Sequence, residues 1–188
     1  MLILSTDIET TGLDVETCQI LEVGAVLQSE YNQPIEEMPK FHTYVVHPVM
    51  HGDPYALFMN SEILRRIAKR EEPYLYSSPD EVAPRMAEWL KQNNPENKKI
   101  TPAGKNVAGF DLPFLRKLPK FKELIKLYHR TFDPAILYLR FEDEEIPSLA
   151  TCIERAKISG EVTHTALEDA LLVIKLIKNS MYCKWLEQ

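Results

Sequence analysis

The sequence predicts an α/β fold in which a mixed five-stranded sheet is flanked by helices. Three apolar segments come first, at residues 2–4, 19–27 and 41–47, and their connections are short enough for antiparallel neighbours. Helical patterns and short strand patterns then alternate over the rest of the chain. This order of elements is typical of one sheet with helices packed against its faces.

The composition favours a single domain spanning residues 1–188, since the 188 residues are 45% hydrophobic. The opening segment MLILSTDIET is too short and becomes charged too early for a signal peptide, and no apolar run reaches membrane-spanning length. We therefore expect no membrane association. Cys18, Cys152 and Cys183 are odd in number and widely scattered. They predict free thiols in a cytoplasmic protein rather than a disulfide framework or a zinc site.

The first strand carries the first candidate site. Asp7 and Glu9 follow its apolar start and share one face, because side chains alternate along a strand. Two carboxylates directed at one point repel each other unless a cation or protons neutralise them. Magnesium and manganese prefer such oxygen ligands. The alternative is an acidic strand end that runs into the turn at Thr10, Thr11 and Gly12.

Helices are predicted on both sides of a short strand at residues 100–105. One helix begins at Asn60 or Ser61, and the next begins at Ser78 with a capping box and a proline at its first position. Pro84 should kink this second helix or delay its start. Later helical segments are predicted at 110–118, 121–128, 134–139 and 148–157, and a last strand at 129–132.

The second candidate site is Asp111, which lies in the apolar segment Phe110–Leu115. A carboxylate in apolar surroundings is costly unless it has a partner. The alternative role for Asp111 is a helix N-cap, in which the side chain accepts hydrogen bonds from free backbone N–H groups.

The third candidate site lies at the start of the last helix. Thr165 to Glu168 form a capping box, which accounts for Glu168 but not for Asp169. Asp169 shares the apolar stripe of this helix with Leu172, Val173 and Leu176, so it needs a cation or a hydrogen-bond donor. His164 lies just outside the cap, where a lone histidine is usually exposed and idle.

Charge is distributed unevenly along the chain. The formal net charge is −6, which disfavours binding of long duplex nucleic acid. Residues 98–130, however, contain nine basic residues against Asp111 and Glu123, a local balance of +7. This basic segment is either a solvated helical face or a track for the few phosphates of a short strand.

Taken in order, these sites resemble the motifs of the DEDDh superfamily of 3′–5′ exonucleases, which share a ribonuclease H-like fold. Asp7 and Glu9 match the first motif, Asp111 the second, and His164 with Asp169 the third. The resemblance covers nearly the whole chain. It implies that the four carboxylates hold two divalent cations, Mg²⁺ or Mn²⁺, and that His164 is the general base.

The same resemblance implies residues that bind the substrate. Leu13 would wedge between the last two bases and Phe110 would stack near the terminal one, although both could equally be core residues. Further contacts are implied for Thr10, Gly12 and Asn106. One departure concerns Asn106: two residues usually separate this asparagine from the Phe-Asp pair, whereas three separate Asn106 from Phe110.

Within the superfamily the layout resembles oligoribonuclease, through Met59-Asn60, the 104–115 stretch and the Tyr128-His129-Arg130 run. The chain also stops after its last helix, without the tail of a proofreading subunit. The segment DIETTGL, in contrast, resembles the proofreading and ribonuclease T type. We therefore expect an oligoribonuclease-like exonuclease that acts on the 3′ end of short single-stranded nucleic acids, RNA or DNA, and releases nucleoside 5′-monophosphates.

Three alternatives remain: a DNA-directed exonuclease of the proofreading type, a non-catalytic nucleic-acid-binding module, and a calcium-binding structural protein. The intact acidic set and His164 argue against the second, and the absence of a contiguous calcium loop argues against the third. The sequence does not fix the oligomeric state, and a homodimer is one candidate assembly.

Overall fold

In this computed structural model, residues 1–30, 32–159 and 164–186 are described, with side chains up to residue 180. A five-stranded mixed sheet runs through the molecule in the order β4-β3-β2-β1-β5. The strands are β1 Leu2–Thr10, β2 Ile20–Gln28, β3 Lys40–Val45, β4 Tyr76–Ser77 and β5 Ile100–Ala103. The first three form the predicted antiparallel meander, and β4 and β5 add parallel strands at the two edges. The predicted α/β class with a mixed sheet is confirmed.

The identity of the fifth strand differs from the prediction. Residues 129–132 form no strand; only two isolated parallel bridges, Ile100–Leu127 and Ala103–Phe132, join this segment to β5. The carbonyls of Ile100 and Pro102 accept hydrogen bonds from this segment, so Pro102 presents its N side to the same edge. Because proline has no N–H, this edge lacks a donor at Pro102, and the ladder is interrupted there. The fifth strand is instead β4, a two-residue strand that the sequence did not predict.

Seven helices are described, and two 3₁₀ turns occur at Ile35–Glu37 and Pro134–Leu137. The helices are α1 Pro54–Met59, α2 Ser61–Lys69, α3 Pro79–Asn93, α4 Asp111–Leu115, α5 Phe121–Leu124, α6 Leu149–Ala156 and α7 Ala166–Leu186. The sequence analysis missed α1, although Asp53 caps it and Pro54 occupies its first position. The helix predicted at 134–139 is a 3₁₀ turn that ends at Leu137. Within the described residues, no helix is long and apolar enough to cross a membrane.

Helix α3 starts where its capping box predicts. The Ser78 N–H donates to Glu81 Oε2 over 2.8 Å, and the helix begins at Pro79. The expected delay caused by Pro84 is therefore wrong. Pro84 is the sixth helical residue, where its missing N–H removes a single hydrogen bond, and the buried side chains of Val82 and Met86 anchor the helix on both sides of it.

The sheet separates two hydrophobic layers. Leu4 and Ile8 of β1 point into a core shared with Met86 of α3 and the side chains of α4 and α5. Ile3 and the side chains that alternate with it face α7, whose residues Val173 and Ile177 form a second core. Asp7 and Glu9 belong to this second face, so the carboxylates of β1 point toward α7.

Candidate active site

Three carboxylates from two distant parts of the chain meet at the end of β1. The ligand oxygens of Asp7, Glu9 and Asp169 all lie within 4.8 Å of one another. Strand alternation places the first two on one face, and Asp169 projects from the first turn of α7 with 6% of its surface exposed. Carboxylate oxygens at this separation suit a hard divalent cation.

The approach of α7 to the sheet depends on a glycine. Gly24 of β2 lies opposite Asp7, and a Cβ at this position would lie 2.3 Å from backbone atoms of Ala166 and Leu167. Ser5 adds a buried hydrogen bond, since its Oγ donates to the carbonyl of Ala170 over 2.8 Å. These two small residues let the start of α7 rest directly on the sheet, which places Asp169 beside the β1 carboxylates.

Asp111 is the fourth predicted carboxylate, and it is 3% exposed. Its Oδ1 accepts a hydrogen bond from the Ile8 N–H over 3.1 Å. Pairing between β1 and β5 ends at Ser5, so the N–H of Ile8 has no strand partner on that edge. The N-cap alternative is wrong, because Phe110 is the N-cap residue and Asp111 is already helical. Asp111 therefore adjoins the group of three carboxylates through β1.

The electrostatics of the site reflect this crowding. Burial raises the pKa of Asp7 well above its usual range, and the charges of Asp111 and Glu9 raise it further. Burial likewise raises the pKa of Glu9 to about 7, with added repulsion from Glu22 and Asp169. Burial also raises the pKa of Asp111 to about 7. Without a cation the site therefore binds protons near neutral pH.

A cleft of about 1010 Å³ opens beside the carboxylates. Its lining includes Glu9 together with the predicted substrate residues Thr10, Gly12, Leu13 and Phe110. Leu13 is 84% exposed, so the alternative that it is a core residue is wrong. Phe110 is compatible with both a substrate contact and a core role. It lines the cleft and also packs on Phe114, with ring centroids 5.2 Å apart.

The turn after β1 is held by residues that arrive from α1 and α2. Asn60 Nδ2 donates to the Thr10 carbonyl over 3.0 Å, and the Asp53 N–H donates to the Thr11 carbonyl over 2.7 Å. Gly12 allows the loops to approach, since a Cβ there would lie 2.6 Å from Cys18 Sγ. These bonds fix one wall of the cleft.

His164 lies at the mouth of the cleft and is exposed. It immediately precedes Thr165 and has a φ of 52°, a left-handed conformation that histidine tolerates better than most residues. Helix α7 begins at Ala166, as the capping box predicts, while the cap bond of Thr165 itself stays a prediction.

Asn106 is not among the residues that line the cleft. Its side chain packs against Gly109, where a Cβ would lie 2.6 Å from Asn106 Oδ1, and its N–H donates to Asp133 Oδ2 over 2.9 Å. Its carbonyl accepts from the N–H groups of Gly109 and Phe110. The extra residue of this loop thus gives Asn106 a role in shaping the turn, and its predicted substrate contact stays a prediction.

The sequence analysis missed two polar residues close to this site. Glu22 of β2 is 1% exposed, and its Oε1 lies 2.6 Å from Nε2 of His42 on β3. A signal was present, because Glu22 is the only charged residue in the otherwise apolar segment Ile20–Leu27. The apolar residues around Glu22 predict a buried strand, and a carboxylate inside such a strand needs a partner.

The comparison with protein families places the whole site inside one match. The family model RNase_T, described as Exonuclease, matches residues 4–177. No curated protein matches the sequence significantly.

Solved structures with the same fold include three nucleases. The nuclease domain of 3′hExo, a DEDDh family member bound to rAMP, has a TM-score of 0.71 at 15% identity, with 97% of this chain and 92% of that chain covered. E. coli Exonuclease I in complex with a dT13 oligonucleotide has a TM-score of 0.64 at 16% identity and 94% coverage of this chain. Cell-death related nuclease 4 has a TM-score of 0.67 at 12% identity, with 97% of this chain and 64% of that chain covered. The chain spans about 40% of the length of Exonuclease I.

Proposed function

Because this chain belongs to the exonuclease family RNase_T, we propose that it hydrolyses phosphodiester bonds from the 3′ end of short single strands, with divalent cations. The family match confirms the predicted exonuclease class. The nuclease domain of 3′hExo, a DEDDh family member, has the same fold as this chain. The proposal itself concerns the substrate, the ions and the release of nucleoside 5′-monophosphates. The single domain over residues 1–188 and the cytoplasmic location stay predictions.

The observation that carries the proposal is the position of the carboxylates. Asp7, Glu9 and Asp169 converge within 4.8 Å, Asp111 adjoins them, and Glu9 also lines the cleft. A substrate in that cleft therefore reaches the point where the carboxylates meet. Among the ion pairs of the described residues, none involves Asp7, Glu9 or Asp111.

The chemistry of these side chains fits Mg²⁺ or Mn²⁺, which prefer carboxylate oxygens. Asp7, Glu9 and Asp169 would hold an ion, and Asp111 would complete a site for two. Such ions supply Lewis-acid stabilisation of the phosphodiester and of the leaving 3′-oxygen. The carboxylates themselves provide the negative charge that attracts the cation and keeps it in register with the scissile bond.

His164 is the candidate general base. It lines the same cleft as Glu9 and is exposed, so its imidazole is accessible to water in that cleft. The unperturbed pKa of histidine, near 6.5, lets an imidazole accept a proton at neutral pH. His164 would take the proton of the attacking water, while Asp7 and Asp169 remain metal ligands.

The cleft suits one or two unpaired nucleotides. Leu13 and Tyr55 are 84% and 72% exposed and both line it, so they offer apolar surface on which bases can stack. Lys117 connects the basic segment to the loop after β1, because its Nζ donates to the Val15 carbonyl over 2.8 Å. The segment therefore adjoins the cleft and can contact phosphates of a short strand.

A degradation ladder tests the proposal. Matched RNA and DNA oligonucleotides labelled at the 5′ end are incubated with Mn²⁺, Mg²⁺ or EDTA. Stepwise shortening in metal and none in EDTA is the expected result, and the relative rates decide between RNA and DNA. Internal cuts on a circular single strand would contradict an exonuclease, and binding without cleavage would favour the non-catalytic module.

A further inference from the structure

Glu22 carries an unusual buried oxygen. The residue is 1% exposed, and while its Oε1 contacts His42, its Oε2 is buried without a hydrogen-bond partner among the described residues. A buried acceptor without a donor costs roughly 1–3 kcal/mol, and more when it is charged. The only other such atom in the described part of the chain is Oε1 of Gln28, at the far end of the same strand. An orphaned carboxylate oxygen needs an explanation.

The position of Glu22 suggests which donor is missing. Glu22 lies directly opposite Glu9 in the β1–β2 ladder, and opposite residues project from the same face of the sheet. Two residues along, Gly24 lies opposite Asp7 and supports the start of α7. Glu22 therefore shares the face on which the three carboxylates converge. Its charge is also the strongest neighbouring charge that raises the pKa of Glu9, after the effect of burial.

His42 fixes the orientation of this carboxylate. The imidazole lies edge-on to Tyr44 and Tyr74, with ring centroids 4.9 and 6.0 Å away. The clamped ring holds Oε1 at 2.6 Å on the side of β3. Because β2 lies between β3 and β1, Glu22 itself lies between His42 and Glu9.

We propose that Glu22 is a positioning residue of the metal centre, whose free oxygen accepts a hydrogen bond from a water molecule bound to the cation beside Glu9. The inference rests on the proposed metal-dependent function. Ionised carboxylates can only accept hydrogen bonds, so neither Glu9 nor Asp169 can satisfy Glu22 when the site is charged. Water bound to a cation is a donor that fits between them, and partners of this kind orient the ligands of metal sites.

The test is Mn²⁺ binding to the full chain, measured by calorimetry together with the rise in Tm that Mn²⁺ causes. Glu22→Gln keeps the shape and the contact with His42 but removes the charged acceptor. We expect its Kd for Mn²⁺ to rise about 10- to 100-fold, with a matching loss of the Mn²⁺-induced rise in Tm. Asp143→Asn, which alters a carboxylate far from the site, should leave both quantities unchanged.

A purely structural role for Glu22 predicts the opposite pattern. Glu22→Gln would then lower the Tm in EDTA while binding Mn²⁺ as tightly as the wild type, or more tightly because repulsion of Glu9 is relieved. Either result overturns the inference. Should Glu22→Gln not fold, Glu22→Asp decides: it keeps the charge but withdraws the oxygens, and a wild-type Kd for Mn²⁺ would equally overturn it.

The failure of the proposed function gives a different result. If the wild-type chain does not bind Mn²⁺, the metal-dependent exonuclease is itself wrong. If the wild type binds Mn²⁺ and Asp7→Asn does not, the site is established, and Glu22→Gln then reports on Glu22 alone.

Discussion

Two groups of carboxylates in this molecule have opposite electrostatics. Asp143 lies beside α6 and accepts two hydrogen bonds from Arg155, at 2.5 and 2.6 Å, and a third from the Arg140 N–H. The Arg155 guanidinium holds the pKa of Asp143 at about 2. At the end of β1, burial instead raises the pKa values of Glu9 and Asp111 to about 7, and repulsion from Glu22 and Asp169 adds to the effect at Glu9.

The difference separates a carboxylate that arginine neutralises from the carboxylates of the proposed metal site. A carboxylate paired with arginine stabilises the fold as it stands, whereas crowded carboxylates without a cation destabilise it. The arrangement around Asp7 therefore fits the proposed cation, and in its absence protons neutralise the site. Substitutions, pH and metal should therefore affect the two groups of carboxylates differently.

Asp7→Asn should abolish exonuclease activity while stabilising the metal-free protein. The substitution removes a metal ligand, and it also removes one of the like charges around Glu9 and Asp111. Single-turnover degradation of a labelled oligonucleotide measures the first effect, and melting in EDTA measures the second. Retained activity would exclude Asp7 from the reaction.

His164→Ala should lower the rate by about 10²–10⁴, the usual contribution of a positioned general base. Because His164 is exposed, the Tm and the affinity for substrate should change little. His129→Ala is the matched control, an exposed histidine that does not line the cleft, and it should keep full activity. Near-normal turnover of His164→Ala across pH 6–9 would make the histidine a bystander.

The effect of Mn²⁺ on the Tm should depend on pH, in a direction set by the raised pKa values of the carboxylates. The raised pKa values mean that the cost of ionising Glu9 and Asp111 is absent at low pH, grows as the pH rises, and is complete above about 7. Metal binding requires the ionised forms, so the rise in Tm caused by Mn²⁺ should increase from pH 5 to pH 8. Melting curves with Mn²⁺ and with EDTA across this range check the prediction, and identical curves at every pH would contradict an assembled site.

Tyr55→Ala should weaken substrate binding with little effect on the chemical step. Stacking of one base on an aromatic ring contributes about 1–3 kcal/mol, so KM should rise roughly 5- to 150-fold at similar kcat. Phe58→Ala is a matched control, since Phe58 is 74% exposed on the same helix but does not line the cleft. Equal effects of the two variants would remove Tyr55 from the binding surface.

Asp143→Asn should have the smallest effect on activity and a clear effect on stability. It removes the negative charge that pairs with Arg155, so the Tm at neutral pH should fall while turnover of substrate stays unchanged. The contribution of Asp143 to stability changes with pH in the opposite direction to that of the β1 carboxylates. The lowered pKa of Asp143 means that the stabilisation is present above about pH 4 and is lost as the pH falls toward 2. Loss of activity without loss of stability would contradict a purely structural role for Asp143.

The sequence by itself determined the features that depend on local periodicity. Asp7 and Glu9 share a face because a strand alternates, and α3 and α7 begin where their capping boxes place them. These signals lie within a few residues of the groups they govern. Helix α1 also has a local signal, because Asp53 is its N-cap and Pro54 is its first residue.

Only the tertiary structure decided which distant groups meet. The two-residue strand β4 forms because the edge of β3 accepts it, a pairing that two residues cannot specify by themselves. Asp169 reaches Asp7 because Gly24 has no Cβ to keep α7 off the sheet, and Asp111 reaches Ile8 because β5 stops pairing at Ser5. The position of Glu22 between His42 and Glu9 follows from the register of β2 with β1 and β3. Each of these contacts joins residues that are far apart in the chain, so their geometry follows from packing and strand register rather than from local sequence.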